Sequence, residues 1–162
     1  IHYIISPIRD VQGSVLKSIY STDVEDAVFA FLHTKDQVSG VLEVNWSDPS
    51  YRKMSTSISV QGTEGKITAD ATEIRLFLQK DNPANMYRKG WQLINHVNLT
   101  SSPAFFLRGE EYSHQLEYFI QHVQRGNLNE INHFEQAAAT DEIIHTIRHQ
   151  HQRNHGTNHF WG

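Results

Sequence analysis

The chain has 162 residues, a formal net charge of −4 with histidine counted as neutral, and no cysteine. This length fits one domain, and the lack of cysteine excludes a disulfide scaffold, a thiolate zinc site and a cysteine nucleophile. The mild acidity argues against a nucleic-acid binder, and no apolar run approaches the roughly 20 residues of a membrane span. With no visible N-terminal signal, we expect a cytoplasmic protein with neither nucleic acid nor membrane as a partner.

The first two-thirds of the chain has the pattern of β-strands joined by short polar turns. Residues 54–60 alternate strictly, with Ser55, Ser57 and Ser59 on one face and apolar or β-branched residues on the other. Short connections favour antiparallel neighbours, because parallel crossovers need a dozen or more residues. The predicted strands are Val11–Tyr20, Val24–Thr34, Gly40–Trp46, Met54–Val60, Lys66–Ala69, Glu73–Gln79 and Trp91–Leu99.

The last third changes to a helical period. The spacing predicts a helix over Glu110–Arg125, whose apolar face is formed by Tyr112, Leu116, Phe119, Ile120 and Val123. A second helix is predicted from Phe134 to about Gln150. Strands followed by helices make an α+β fold, so we expect one domain over residues 1–150 and a polar tail over residues 151–162.

The 11 histidines crowd toward the C-terminus. His145 and His149 are four apart on the second predicted helix, as are His151 and His155 if the helix continues, and this spacing can hold zinc. No carboxylate or thiolate completes a ligand set nearby, and two arginines would oppose a cation. We therefore predict no metal site and interpret these histidines as surface residues near a helix C-terminus.

Four segments in order carry a resemblance to a known family. They are Val24–Val28, Gly40–Ser47, Ile58–Ile67 and Glu111–Ile120. Together they resemble the C-terminal domain of the Gfo/Idh/MocA oxidoreductases, the group of glucose–fructose oxidoreductase and inositol dehydrogenase. The resemblance implies an α+β domain of the dihydrodipicolinate-reductase-like kind, with an open, mainly antiparallel sheet and helices packed on one face.

The same resemblance implies a second domain outside this chain. Family members have an N-terminal Rossmann domain that binds NAD or NADP, and the C-terminal domain forms one wall of the substrate site. The free sheet face commonly builds dimers or tetramers, and the serine face of residues 54–60 suits either such packing or solvent. The start at Ile1–Ile5, without methionine, suggests a piece of a longer protein.

Catalytic motifs of the family are missing from these residues. There is no Gly-x-Gly-x-x-Gly cradle for a dinucleotide and no Glu-Lys-Pro segment with the catalytic lysine. His2 lies too close to Pro7 to match the family's histidine. We therefore expect no catalytic, cofactor-binding or metal residue in this chain, with NAD or NADP bound only by an intact parent protein.

The loop after the third predicted strand is the best candidate for substrate contact. Trp46 and Tyr51 offer flat faces for a sugar ring, and Asn45 and Arg52 offer hydrogen bonds to hydroxyls, as does Asp48. The alternative is an ordinary strand end with Trp46 buried and Arg52 in solvent. Tyr112, at the start of the first helix, fits the apolar face and is expected to be buried.

The sequence thus favours a substrate-binding and oligomerisation domain of an NAD(P)-dependent oxidoreductase that acts on a sugar or polyol. The alternative is a non-catalytic binding or assembly module that dimerises through its sheet. In either case the expected partners are a second copy of the chain and, for the oxidoreductase, a sugar-like small molecule.

Overall fold

The computed structural model describes residues 4–51, 54–95, 98–99, 104–105, 110–126, 131 and 133–156. It divides into two compact units. The first unit comprises residues 1–49 and 127–162, and the second comprises residues 50–126. No helix among the described residues is both long and apolar enough to cross a membrane.

The first unit is a three-stranded antiparallel sheet with one helix on it. Its strands, in spatial order, are β1 (Ile8–Lys17), β2 (Ala27–Thr34) and β3 (Ser39–Asn45). The long C-terminal helix α2 (Phe134–Gly156) covers one face. Ser14, Ala30 and Leu42 lie side by side across the three strands on that face.

The core of the first unit lies between this face and α2. Its fully buried apolar residues are Val11, Ala30, Leu32 and Ile147. The Ser14 hydroxyl, itself buried, donates a 2.5 Å hydrogen bond to the carbonyl oxygen of Ile147. Burial of apolar surface and this bond together fix α2 on β1.

The opposite face of the first sheet is open. Period-2 alternation places Phe29, Phe31 and Val41 on it, and Phe31 is 61% exposed. Contiguous exposed apolar side chains of this kind are typical of a surface that contacts another molecule rather than solvent alone.

The second unit is a four-stranded antiparallel sheet and a helix. The strands are β4 (Ser57–Gln61), β5 (Gly65–Asp70), β6 (Glu73–Leu78) and β7 (Gly90–Asn95), in that spatial order, and a short 3-10 helix (Pro83–Asn85) precedes β7. Helix α1 spans Glu110–Arg125. Only glycine fits at position 65, because a Cβ there would lie 2.0 Å from the Phe77 carbonyl oxygen.

The α+β class and the element order predicted from the sequence are confirmed. Each predicted strand is present with ends shifted by a few residues, and α1 has the predicted bounds. Ser57 and Ser59 are exposed on one face of β4, as the alternation predicts. Among the described residues the strands form two sheets, whereas the resemblance implied one open sheet.

Two helix predictions need correction. Helix α2 runs to Gly156 rather than ending near Gln150, so residues 151–156 of the predicted tail are helical. Tyr112 is 57% exposed, not buried, and the rest of the apolar face of α1 is exposed with it. Among the side chains of α1 that the structure describes, the fully buried one is Ser113, which lies at the edge of the predicted apolar face, beside Ile120. The apolar periodicity therefore predicted the bounds of α1 correctly but did not predict which side of the helix is buried.

Candidate functional site

The candidate loop begins where β3 ends. Asn45 is the last residue of β3 and lies opposite Ala27 of β2. Its side-chain carbonyl oxygen accepts hydrogen bonds from the backbone N–H and the hydroxyl of Ser47, both at 2.9 Å. Asn45 therefore closes the turn that ends the strand, as asparagine commonly does.

Trp46 projects from this turn into solvent. Its side chain is 83% exposed, while its backbone N–H donates a 2.7 Å hydrogen bond to the carbonyl oxygen of Asp26. The burial of Trp46 expected under the alternative of an ordinary strand end is therefore wrong. A fixed backbone beneath an exposed indole gives a flat apolar surface at a defined place.

The structure says less about the other predicted site residues, Asp48, Tyr51 and Arg52. Tyr51 is 62% exposed and belongs to the second unit, and Arg52 lies outside the described residues. Asp48 is half-buried and has an interaction partner. The structure brings Asn45 and Trp46 together in the first unit, and the roles of Tyr51 and Arg52 remain predictions.

Asp26 is a residue of this region that the sequence analysis did not single out. Its carboxylate accepts hydrogen bonds from the backbone N–H groups of Ile19, Tyr20 and Ser21 at 2.8, 2.8 and 3.0 Å. The bond from Ile19 is the largest cause that holds the pKa of Asp26 below its ordinary value, and those from Tyr20 and Ser21 act the same way. The signal available in the sequence was the polar cluster from Ser21 to Asp26 between two strands.

A shallow polar groove of about 510 Å³ lies elsewhere in the first unit, between residues 16–25 and residues 148–152 of α2. In it Arg148 donates from Nε to Glu25 Oε1 at 2.7 Å, and its Nη2 binds the same oxygen. The pKa of Glu25 is lowered by a hydrogen bond with its own backbone and then by Arg148. Both side chains are partly exposed, so this ion pair contributes on the order of 0.5 kcal/mol.

One of the crowded histidines has a structural role here. The backbone N–H of Leu16 donates to Nδ1 of His151 at 3.2 Å, which requires that nitrogen to be unprotonated. The rings of His145 and His149 stack with centroids 6.5 Å apart on the exposed side of α2. No group of three or more potential ligands for a metal ion occurs in the part of the chain that the structure describes.

Comparisons with known proteins bear on this arrangement. Residues 1–68, which include β1 to β3 and Trp46, match the sequence model of the GFO/IDH/MocA C-terminal domain. No curated protein matches the chain. The match supplies a family for the part of the sequence that carries the candidate loop.

Solved structures share the fold over most of the chain. A levoglucosan dehydrogenase in complex with NADH and levoglucosan aligns with a TM-score of 0.70 and 16% identity over 91% of this chain. The same enzyme with NADH alone gives 0.68 and 16% over 92%, and with NADH and L-sorbose 0.70 and 15% over 92%.

The aligned region is only part of those proteins. The chain spans 45 to 46% of the length of these dehydrogenase chains. At this identity the likeness shows the fold alone, and the sequence match to the family model is confined to residues 1–68. The resemblance read from the sequence is therefore confirmed: residues 1–68 match the Gfo/Idh/MocA C-terminal domain in sequence, and the fold is shared over most of the chain.

Proposed function

We propose that the chain is the substrate-binding and oligomerisation domain of an NAD(P)-dependent oxidoreductase that acts on a sugar or polyol. The observation that carries the proposal is the fold it shares, over nine-tenths of its length, with less than half of a dehydrogenase captured with NADH and levoglucosan. In that arrangement another part of the parent protein binds NADH, because this chain has no glycine-rich dinucleotide cradle.

Asn45, Trp46, Tyr51 and Arg52 are the proposed substrate contacts. The exposed indole of Trp46 supports this assignment, since an aromatic face packs well against the C–H groups of a sugar ring. Hydride transfer requires a nicotinamide against the carbinol carbon and a base for the hydroxyl proton. This domain holds and orients the sugar, and the nicotinamide and the base come from the rest of the parent.

The proposed oligomerisation uses the open face of the first sheet. Phe29, Phe31 and Val41 form an exposed apolar strip there, on the side opposite α2. An apolar sheet face of this kind gains stability when a second copy covers it. The same strip supports the alternative function, a non-catalytic assembly module that dimerises through its sheet.

An assay of sugar oxidation tests whether the cofactor site lies outside this chain. The purified 162-residue chain should not reduce NAD⁺ or NADP⁺ with levoglucosan or other sugars, as followed by absorbance of the reduced nicotinamide. The protein translated from the full reading frame should do so. Reduction by the isolated chain would contradict the assignment of the cofactor site to another domain.

The reading frame before the codon for Ile1 separates the two functions. About 120 to 150 residues with a strand–turn–helix glycine fingerprint support the oxidoreductase. A start codon directly before Ile1 supports the assembly module.

A further inference from the structure

Asp26 joins three segments of the first unit. Its backbone N–H donates to the carbonyl oxygen of Lys17, the last residue of β1, at 2.9 Å. Its carbonyl oxygen accepts the 2.7 Å bond from Trp46, just after β3. Its carboxylate holds the three successive backbone N–H groups of residues 19–21 in the connection between β1 and β2. The residue is only 8% exposed, so these bonds are shielded from water.

Two of the segments that Asp26 holds present large aromatic side chains to solvent. Tyr20 is 72% exposed and Trp46 is 83% exposed. The backbone nitrogens of both residues bind Asp26 directly, so they lie no more than about 11 Å apart. Core packing explains neither side chain, and two aromatic rings on one anchored edge can hold a ring-shaped ligand between or across them.

We propose that Asp26 is the positioning residue of the sugar site and that Tyr20 supplies the second aromatic face beside Trp46. This inference rests on the proposed function, because it takes Trp46 to be a sugar contact. Asp26 fixes the backbone under both rings before the ligand arrives, which lowers the entropy cost of binding.

The competing explanation is that Asp26 only closes a turn. Asp70 offers a matched comparison in the second unit, because its carboxylate accepts from the backbone N–H groups of Thr72 and Glu73 at 2.7 and 3.1 Å. Its pKa is lowered, first by the Thr72 side chain and then by these backbone bonds. Asp70→Asn therefore reproduces the loss of a turn-closing carboxylate without touching the segments that bear Tyr20 and Trp46.

The experiment is a calorimetric titration of the 162-residue chain and its variants with levoglucosan, together with thermal melts. Asp26→Asn should raise the Kd about fivefold or more. Asp70→Asn, which removes an exposed turn-closing carboxylate, should keep the Kd within twofold of wild type. Tyr20→Ala should raise the Kd about fivefold with an unchanged Tm, and Tyr20→Phe should restore wild-type affinity. Phe134→Ala, which removes another exposed aromatic ring of the first unit, should change neither.

A second measurement, which needs no bound sugar, tests the positioning role of Asp26 even if Asp26→Asn binds no sugar at all. The tryptophans at positions 46, 91 and 161 give three indole N–H signals in ¹⁵N spectra. Without sugar, Asp26→Asn should move the Trp46 signal and leave the Trp91 signal in place.

The outcomes separate this inference from the proposed function. Wild-type affinity in both Asp26→Asn and Tyr20→Ala, with weakened binding in Trp46→Ala, would overturn the inference and leave the sugar site standing. Unchanged affinity in all three variants would overturn the site itself, and the inference with it.

Discussion

Replacing Trp46 by alanine is expected to raise the Kd for levoglucosan at least tenfold, which corresponds to about 1.4 kcal/mol. The indole is 83% exposed, so the variant removes a contact surface and no part of the core. Its backbone bond to Asp26 does not depend on the side chain and should persist. The Tm should therefore stay within about 2 °C of wild type, because exposed substitutions seldom change stability much.

Trp91 provides the matched control for this variant. It is 65% exposed on β7 of the second unit and stacks obliquely on Phe77 with ring centroids 5.3 Å apart. Trp91→Ala should leave the Kd for levoglucosan unchanged, and Trp46→Phe should recover most of the affinity. Equal losses in Trp46→Ala and Trp91→Ala would mean that the effect is not local, and the assignment of Trp46 would fail.

Ile147→Ala is expected to have the largest effect on stability, a loss of about 2–4 kcal/mol in the free energy of unfolding. Ile147 is 5% exposed and packs from α2 against Val11, Ala30 and Leu32 of the first sheet. Its truncation leaves a cavity among these three side chains, while the hydrogen bond from Ser14 to the Ile147 carbonyl is retained because it uses the backbone. Denaturant unfolding followed by circular dichroism measures the loss.

Ile144 is the control for this cavity. It lies one turn earlier on α2 and is 48% exposed. Ile144→Ala should cost well under 1 kcal/mol, since the substitution opens no cavity and alanine favours the helix. If the two variants lost equal stability, the packing of α2 through Ile147 would be contradicted.

Local patterns in the sequence predicted the elements because local chemistry determines them. The alternation of Ile58 and Val60 with the serines gave β4 its faces, and Gly126, with φ of +66°, directly follows the last residue of α1, where glycine commonly ends a helix. The true end of α2 was also readable, because Gly156 is the first glycine or proline after the predicted end at Gln150. The prediction stopped early because it followed apolar periodicity, which residues 151–155 lack.

What the sequence could not supply depends on contacts between distant residues. Which strands share a sheet is decided by pairing across the connection from β3 to β4, and no local signal encodes it. The apolar face of α1 predicts that this side of the helix packs against something, but the spacing does not identify the packing partner. Asp26 was missed because its role depends on Ile19 to Ser21 and Trp46 meeting it in space.

The central claim is that this chain binds the sugar and that the nicotinamide cofactor is bound elsewhere. A ¹⁵N NMR titration of the 162-residue chain, first with levoglucosan and then with NADH, tests it most directly and detects weak binding. With levoglucosan, the Trp46 indole signal and the amide signals around Asn45 should shift in a saturable way, while the Trp91 indole stays fixed. NADH alone should shift none of them. Saturable shifts with NADH, or none around Trp46 with levoglucosan at tens of millimolar, would contradict the account.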